Sequence, residues 1–342
     1  MKNIYHDHLE QLRSIEIGES PALSMYVPLK WSDYDPKKIF SALLKVAEGL
    51  KQKNGENKFE INQPDWDRWI KQGTSTLALF HHAGVTHLIP IPIRMQPRVV
   101  VANSFHIKPI LTAANVNIDA LLLHFNEQGA HLYRVNSFSE SLIDSYLPRE
   151  VLAKYDWPVT LTRNSTREFL EFLNLEVKGS IKRTTKLFGI TGADFSELRS
   201  ESFWEKCRLP ITYLNDSFKA KSPENGFSIL RLKLSKLIND KHTQTINEIL
   251  GSDSSFKDDE SLKTLGEKIL NKKINHLCVS LDDLQFGELD STTGQITLNK
   301  NQKSTKDDDV FDDLVELAID NGIKVSVVPK KYLPNGRMFL AS

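Results

Sequence analysis

Short apolar runs with the spacing of strands alternate with segments that have the spacing of helices, and this alternation restarts twice along the chain. ALSMYV is predicted to be a strand, and Asp35-Pro36 begins a helical pattern whose apolar residues recur every three or four positions. TLALFHH and VTHLIPI follow as two strands joined at Ala83-Gly84. Such alternation is typical of layers of helices packed on sheets. The sequence therefore predicts a layered α/β protein.

The two restarts predict the domain boundaries. A chain of 342 residues is long enough for two or three domains of ~100 to 200 residues each. We predict an N-terminal α/β domain at 1–102, a middle domain at 103–225 and a C-terminal α/β domain at 226–342. The second boundary follows Ser222-Pro223-Glu224-Asn225-Gly226, which has the composition of a turn and precedes a long helical pattern.

An acidic stretch in the C-terminal part consists of Asp307-Asp308-Asp309 with Asp312 and Asp313. These residues precede and enter the apolar-periodic segment FDDLVELAI. Because a helix N-terminus favours negative charge, we expect the carboxylates to cap a helix rather than to bind a metal ion. Gly322 lies where the C-terminal cap of that helix is expected.

The charge balance argues against a general attraction to nucleic acid. The chain has 44 basic and 44 acidic side chains and therefore no net charge, so any RNA contact must come from a local cluster. No stretch approaches the ~20 apolar residues of a membrane span, and the first residues lack the apolar segment of a signal peptide. We therefore expect a cytoplasmic protein without a membrane partner. Cys207 and Cys278 have no second thiol nearby and are predicted to be buried thiols.

The histidines do not predict a metal site. No cysteine or acidic companion completes a zinc-binding set around those near the chain start or the first hairpin, which are His6, His8, His81, His82 and His87. The sequence predicts no catalytic residue, metal ion or cofactor.

Segments from two parts of the chain resemble one known family. RVVVANSFHIKPIL, followed by IDALLLHFNEQGAHLYRVN, resembles the start of the middle domain in bacterial members of the archaeal and eukaryotic class I peptide-chain release factor superfamily. FGELDSTTGQITLN and VSVVPKKYLPNGRMFLA resemble the end of the same family. The resemblance spans roughly residues 97–342. It implies an RNase H-like core in the middle domain and a C-terminal domain like the kink-turn-binding ribosomal proteins.

The stretch NSFHIKPIL, residues 103–111, is interpreted as the entry to that middle domain. Pro109 is expected to restrict the preceding Lys108 to extended conformations. His106 has no carboxylate, serine or cysteine placed nearby in sequence as an obvious partner. We therefore expect His106 to pack at a domain junction rather than to act in catalysis.

The catalytic loop of the release factors is missing. Those proteins hydrolyse peptidyl-tRNA through a Gly-Gly-Gln loop, which the resemblance places between SLIDSYLP and a helix beginning near Ser165. That segment contains no glycine here, and Gly294-Gln295 lies in a predicted hairpin turn near the C-terminus. Without glycines the backbone cannot readily adopt the same open conformation. We expect hydrolysis to be absent, and the alternative is a rescue factor whose divergent loop still promotes it.

The segment in place of that loop is rich in basic and aromatic side chains, and KGSIKRTTK at 178–186 adds a second basic cluster. Basic groups neutralise phosphates, and aromatic rings stack on unpaired bases. An ordinary solvated surface is the alternative for either segment. The predicted RNA-binding residues are Arg149, Lys154, Tyr155, Trp157, Arg163, Arg167, Lys178, Lys182, Arg183 and Lys186.

The resemblance and the missing loop together predict a non-enzymatic ribosome-binding factor. It would occupy the tRNA A site of hibernating or stalled ribosomes, as its resemblance to the Balon-type hibernation factors implies. The resemblance also suggests a translational GTPase such as elongation factor Tu as a partner. An RNA-binding protein that acts off the ribosome in stress or defence is a third interpretation.

Overall fold

Helices and strands alternate in the computed structural model as the sequence predicts, and the α/β class is confirmed. The chain divides into two compact units, one formed by residues 2–116 with 240–342 and the other by residues 117–239. The three predicted domains and the two boundaries between them stay a prediction. The structure describes residues 4–18, 20–29, 35–53, 59–71, 74–116, 120–126, 129–135, 140–148, 187–191, 212–213, 222–251, 262–302, 305 and 307–342.

The first part of the larger unit is built around a four-stranded antiparallel sheet, in the order β3-β2-β1-β4. Its elements are α1 (Ile4–Arg13), β1 (Ala22–Pro28), α2 (Pro36–Lys53), α3 (Trp66–Lys71), β2 (Thr76–His82), β3 (Val85–Ile91), β4 (Arg98–Ala102) and α4 (Lys108–Val116).

Strand β1 is buried along its whole length because both faces of the sheet are covered. Tyr26 belongs to one core, with Phe80 and Phe105, whereas Met25 belongs to the other, with Phe40 of α2. Successive strand residues point to opposite faces, so a single strand supplies two cores.

The second part of the larger unit contains two small sheets, in the orders β14-β10-β15 and β12-β11-β13. In the first, β10 pairs in parallel with β14 and antiparallel with β15. The elements are the last turns of α5 (Pro223–Gly251), then α6 (Leu265–Leu270), β10 (His276–Ser280), β11 (Phe286–Leu289), β12 (Ile296–Leu298), β13 (Asp308–Asp309), α7 (Val310–Asp320), β14 (Lys324–Val328) and β15 (Phe339–Ala341).

Residues from both ends of the chain share one hydrophobic core in the larger unit. Ile107 and Ile110 lie in the same buried cluster as Val279, Phe311 and Leu314. Burial of this shared apolar surface, at ~25 cal/mol per Å², stabilises the association of the two sequence-distant parts. It also places the stretch NSFHIKPIL against the start of α7.

The smaller unit has a five-stranded sheet in the order β7-β6-β5-β8-β9. Only β6 runs against the other strands, since β5 pairs antiparallel with β6 and in parallel with β8. This order and this single reversed strand are those of an RNase H-like core. The strands are β5 (Ala120–Asn126), β6 (Gly129–Val135), β7 (Glu140–Pro148), β8 (Leu187–Thr191) and β9 (Thr212–Tyr213).

Helix α5 covers this sheet with its first half. Phe227, Leu230 and Leu234 form a buried cluster with Leu122, and the ring of Tyr133 lies 5.1 Å from that of Phe227 in an edge contact. The 7-residue spacing of Phe227 and Leu234 brings them to one face of the helix, as an amphipathic pattern requires.

Two local predictions are wrong, and one strand was missed. The predicted turn at 222–226 is the first turn of α5, which begins at Pro223 because Pro is tolerated at a first helical position. Lys108 is helical rather than extended, since α4 begins there with Pro109 in its first turn. Strand β15 was not predicted, because only three residues, Phe339–Ala341, follow the preceding loop.

Other local predictions are confirmed. The hairpin turn at Ala83-Gly84 has positive φ angles at both residues, 48° and 78°. The Asp309 side chain caps α7 by accepting a hydrogen bond from the Phe311 N–H, and Gly322 follows that helix with a φ of 73°. Gly294 lies in the turn between β11 and β12. Cys278 is fully buried, and burial raises the pKa of its thiol to about 12.

Candidate functional site

The ten residues predicted to bind RNA, from Arg149 to Lys186, lie outside the described residues. The elements on either side of them are β7 and β8 of the smaller unit. The candidate site that the structure does describe lies in the larger unit, where NSFHIKPIL meets the acidic stretch.

A buried charge cluster joins these two segments, and it consists of His106, Lys108, Asp308, Asp309 and Asp312. All five residues are at most 1% exposed. The Lys108 Nζ forms an ion pair with Asp309 Oδ2, and it donates a hydrogen bond of 2.9 Å to the carbonyl of Asp283. The ammonium group also lies 5.5 Å from the centre of the Phe311 ring. A buried charge requires this kind of pairing, because leaving it unpaired costs several kcal/mol.

Asp312 fixes the start of α4 from a distance of about 200 residues along the chain. Its Oδ2 accepts a hydrogen bond of 2.9 Å from the Ile107 N–H, and its Oδ1 accepts one of 2.7 Å from the Lys108 N–H. The first N–H groups of a helix have no partner within the helix, so a carboxylate at this position stabilises it. This contact explains why Lys108 is helical.

His106 is a neutral imidazole held in one tautomer. Its Nε2 lies 3.3 Å from Arg98 Nη1, and a guanidinium can only donate, so Nε2 must accept. The ring proton is therefore on Nδ1, which lies 3.3 Å from Asp312 Oδ1. Burial lowers the pKa of His106 well below its usual value, and the positive charges of Lys108 and Arg98 lower it further.

The main chain around His106 is also held by strand β1. The His106 N–H donates a hydrogen bond of 2.9 Å to Ser24 Oγ, and the Tyr26 hydroxyl donates to the His106 carbonyl. His106 has no carboxylate nearby in sequence, but Asp309 and Asp312 come to it from α7 and its cap, about 200 residues along the chain. Packing rather than catalysis is the better interpretation of a side chain with 0% exposure.

Arg98 and Lys108 hold the loop that follows β10. Arg98 donates hydrogen bonds to the carbonyl oxygens of Leu281 and Asp282, at 3.2 and 3.0 Å. Together with the bond from Lys108 to the Asp283 carbonyl, these contacts connect the two sequence-distant parts of the larger unit. No signal within a short window of the sequence could predict them.

Acidic side chains line two adjoining clefts beside this cluster, with volumes of about 530 and 500 Å³. Asn103, Ser104, Glu316 and Asp320 line both of them. Burial and the nearby Asp308 raise the pKa of Glu316 to about 7, and burial raises the pKa of Asp308 to about 6. In the part of the chain that the structure describes, the one basic side chain that lines either cleft is Arg13, which forms an ion pair with Asp320, so the clefts are unsuited to phosphate groups.

Within the described ranges, no group of three or more His, Cys, Asp or Glu side chains has the arrangement of a metal site. In the same residues, no helix is long and apolar enough to span a bilayer.

Comparison with known proteins gives similarities of fold only. No protein-family model matches the chain, and no curated protein matches it. Among solved structures, archaeal Pelota, described in a ribosome-bound complex with ABCE1, is 10% identical with a TM-score of 0.40, over 99% of this chain and 93% of that one.

Two further solved structures match the chain at similarly low sequence identity. Dom34 of S. cerevisiae, a translation termination-like factor that interacts with Hbs1, is 11% identical with a TM-score of 0.36, over 100% of this chain and 91% of that one. The archaeal termination factor aRF1 is 13% identical with a TM-score of 0.24, over 99% of this chain and 97% of that one. At these values the function has to be argued from the residues of this chain.

Proposed function

We propose that the protein is a ribosome-binding factor of the release-factor superfamily that occupies the tRNA A site without hydrolysing peptidyl-tRNA. One observation carries the proposal. The segment 118–136, whose sequence resembles the start of the release-factor middle domain, contains strands β5 and β6, and these lie beside β7 in a sheet with RNase H-like order. The resemblance therefore extends from residue pattern to strand order.

The absence of glycine from residues 149–164 supports a non-catalytic role. Close approach of a backbone to a reacting bond requires conformations that glycine adopts and bulkier residues rarely do. In place of Gly-Gly-Gln the segment has Tyr155, Trp157 and Arg163, which can stack on bases and pair with phosphates. Such groups suit a protein that holds RNA rather than one that positions water.

The ribosome is the proposed partner, in a hibernating or stalled state. A translational GTPase such as elongation factor Tu is proposed as the protein that delivers the factor, from the same resemblance. Because contacts with phosphate release counterions, binding should weaken steeply as salt increases.

Sedimentation tests the partner. We expect the protein to sediment with 70S ribosomes from stationary-phase cells and to leave them when the salt concentration is raised. Recovery only in the ribosome-free fraction under every growth condition would refute the proposal and favour a role off the ribosome.

A reconstituted stalled ribosome tests the absence of catalysis. We expect the purified protein to compete with aminoacyl-tRNA while peptidyl-tRNA stays intact. The double variant Trp157→Ala/Arg163→Ala should bind more weakly, since stacking contributes ~1 to 3 kcal/mol per base. Release of the peptide at a rate that falls in this variant would instead establish the rescue-factor alternative.

A further inference from the structure

The loop at residues 329–338, which connects β14 to β15, has several side chains at the surface but is tied to the rest of the larger unit by polar and apolar contacts. We call it the C-terminal loop. The Lys330 N–H donates a hydrogen bond of 2.7 Å to Asp282 Oδ2, and its Nζ forms an ion pair of 2.6 Å with Asp283 Oδ1. Leu333 is 5% exposed and packs in a core cluster with Ile246 of α5. These contacts anchor the loop at Lys330 and Leu333.

The loop has no acidic residue, and its charged residues are basic. Lys331 and Asn335 are exposed, and Arg337 is half-buried. Asn335 and Gly336 form the tip with φ angles of 55° and 68°. Among the described residues, neither Lys331 nor Arg337 has an ion pair with a carboxylate, in contrast to the neighbouring Lys330. Their charges are thus available to a partner.

An aromatic side chain organises the basic groups. The Lys331 Nζ lies 4.9 Å from the centre of the Tyr332 ring, and that ring lies 4.9 Å from the ring of His242. Burial lowers the pKa of His242 to about 4, and the positive charges of Lys241 and Lys331 add to this effect. Lys241 of α5, whose Nζ donates a hydrogen bond of 3.2 Å to the Asn115 carbonyl, places a further positive charge near these rings.

We propose that the C-terminal loop, together with Lys241, is a surface that contacts RNA with unpaired bases. Lys331, Arg337 and Lys241 neutralise phosphates, the Asn335 amide supplies donors and an acceptor for base edges, and Tyr332 supports the Lys331 ammonium. An acidic protein would be recognised by the charges alone, and it would leave the amide at the tip without a role. This surface is separate in sequence from residues 149–186, and it depends on the proposed function only for the RNA being ribosomal.

Binding of a labelled single-stranded 20-nucleotide oligouridine, titrated at several salt concentrations, tests the surface directly. The variant is Lys331→Glu/Arg337→Glu. The control is Lys38→Glu/Lys45→Glu, which makes the same change in charge at two exposed lysines of α2. We expect the loop variant to bind about tenfold more weakly, with a salt slope reduced by about 1.4, since a single-stranded phosphate contact contributes ~0.7. The control should bind as the unaltered protein does, and circular dichroism should show that both variants are folded.

Equal binding of oligouridine by the loop variant and the control overturns the inference. Sedimentation of the same variants with ribosomes separates this result from the proposed function. If the unaltered protein does not sediment with ribosomes but the loop variant still loses oligouridine binding, the proposed function is wrong and the RNA-binding surface is supported. If the loop variant loses only ribosome binding, the loop contacts a protein and the RNA inference is refuted.

Discussion

Replacement of Lys108 by Met tests whether the buried charge cluster holds the larger unit together. The methionine keeps an unbranched apolar side chain but removes the ammonium group. Asp309, which is 0% exposed, then has a buried charge without its ion-pair partner. It must either stay charged in an apolar surrounding or take up a proton.

The loss of the ion-pair partner sets the expected magnitude. Removing one member of a buried ion pair typically lowers the free energy of unfolding by about 3 to 5 kcal/mol, because the other charge stays buried without compensation. The lost hydrogen bond from Nζ to the Asp283 carbonyl contributes about 1 kcal/mol of this. We therefore expect Lys108→Met to lower the free energy of unfolding by about 3 to 5 kcal/mol at pH 7.

Urea unfolding measures these values, with hydrogen exchange of peptides covering residues 98–116 to assign the transition to the larger unit. Lys38→Met, at an exposed lysine of α2, is the matched control and should stay within ~0.5 kcal/mol. In Lys108→Met/Asp309→Asn the buried charge is removed, while an asparagine Oδ1 still caps α7. The double variant should be more stable than Lys108→Met alone. A loss below about 1 kcal/mol at pH 7, or a double variant no better than the single one, would refute the reasoning.

Two further predictions concern packing and pH. Gly266→Ala should lower the free energy of unfolding by about 1 to 3 kcal/mol, because its Cβ would lie 2.3 Å from the Gly294 carbonyl oxygen. Gly49→Ala, in an open position of α2, should raise the free energy of unfolding by about 0.5 to 1 kcal/mol. Urea unfolding measures both variants, and equal effects would contradict the close approach of Gly266 to Gly294. His242 has a folded pKa of about 4, below the unfolded 6.5, so the unfolded state binds more protons in this window and stability falls as pH falls. When the pH is lowered from 7 to 5, the free energy of unfolding of His242→Gln should therefore fall by about 1 to 2 kcal/mol less than that of the unaltered protein. An equal fall in both proteins would count against a buried neutral His242.

Local patterns predicted the parts of the fold whose causes are local. Strands β1 to β4 follow from short apolar runs and the Ala83-Gly84 turn, and the N-terminus of α7 follows from its acidic residues. The start of α4 was missed because its cap, Asp312, comes from another part of the chain. The rule that Pro109 disfavours a helical Lys108 is a preference, and two hydrogen bonds to a buried carboxylate outweigh it.

The candidate site was harder to predict than the fold, because its members are far apart in sequence. His106 and Lys108 meet Asp309 and Asp312 only once the shared core of the larger unit has formed. One sequence feature did point to the site: the acidic stretch contains more carboxylates than are needed to cap the N-terminus of α7. An excess of this kind beside apolar residues indicates buried partners elsewhere in the chain.

The buried charge cluster also changes how the neutral composition should be interpreted. Asp307, Asp308, Asp309 and Asp312 are all buried, whereas Lys108 is the one lysine or arginine among the described residues that is buried with them. Lys108 can balance only one of these carboxylates, but burial raises the pKa of Asp312 well above its ordinary value and so favours its neutral form. The protein therefore has a small basic excess at neutral pH, although the whole chain has 44 basic and 44 acidic groups. A formal net charge of zero is thus compatible with local RNA-binding surfaces, and the C-terminal loop, with Lys331 and Arg337 lacking carboxylate partners in the described structure, is where this excess should first be detected.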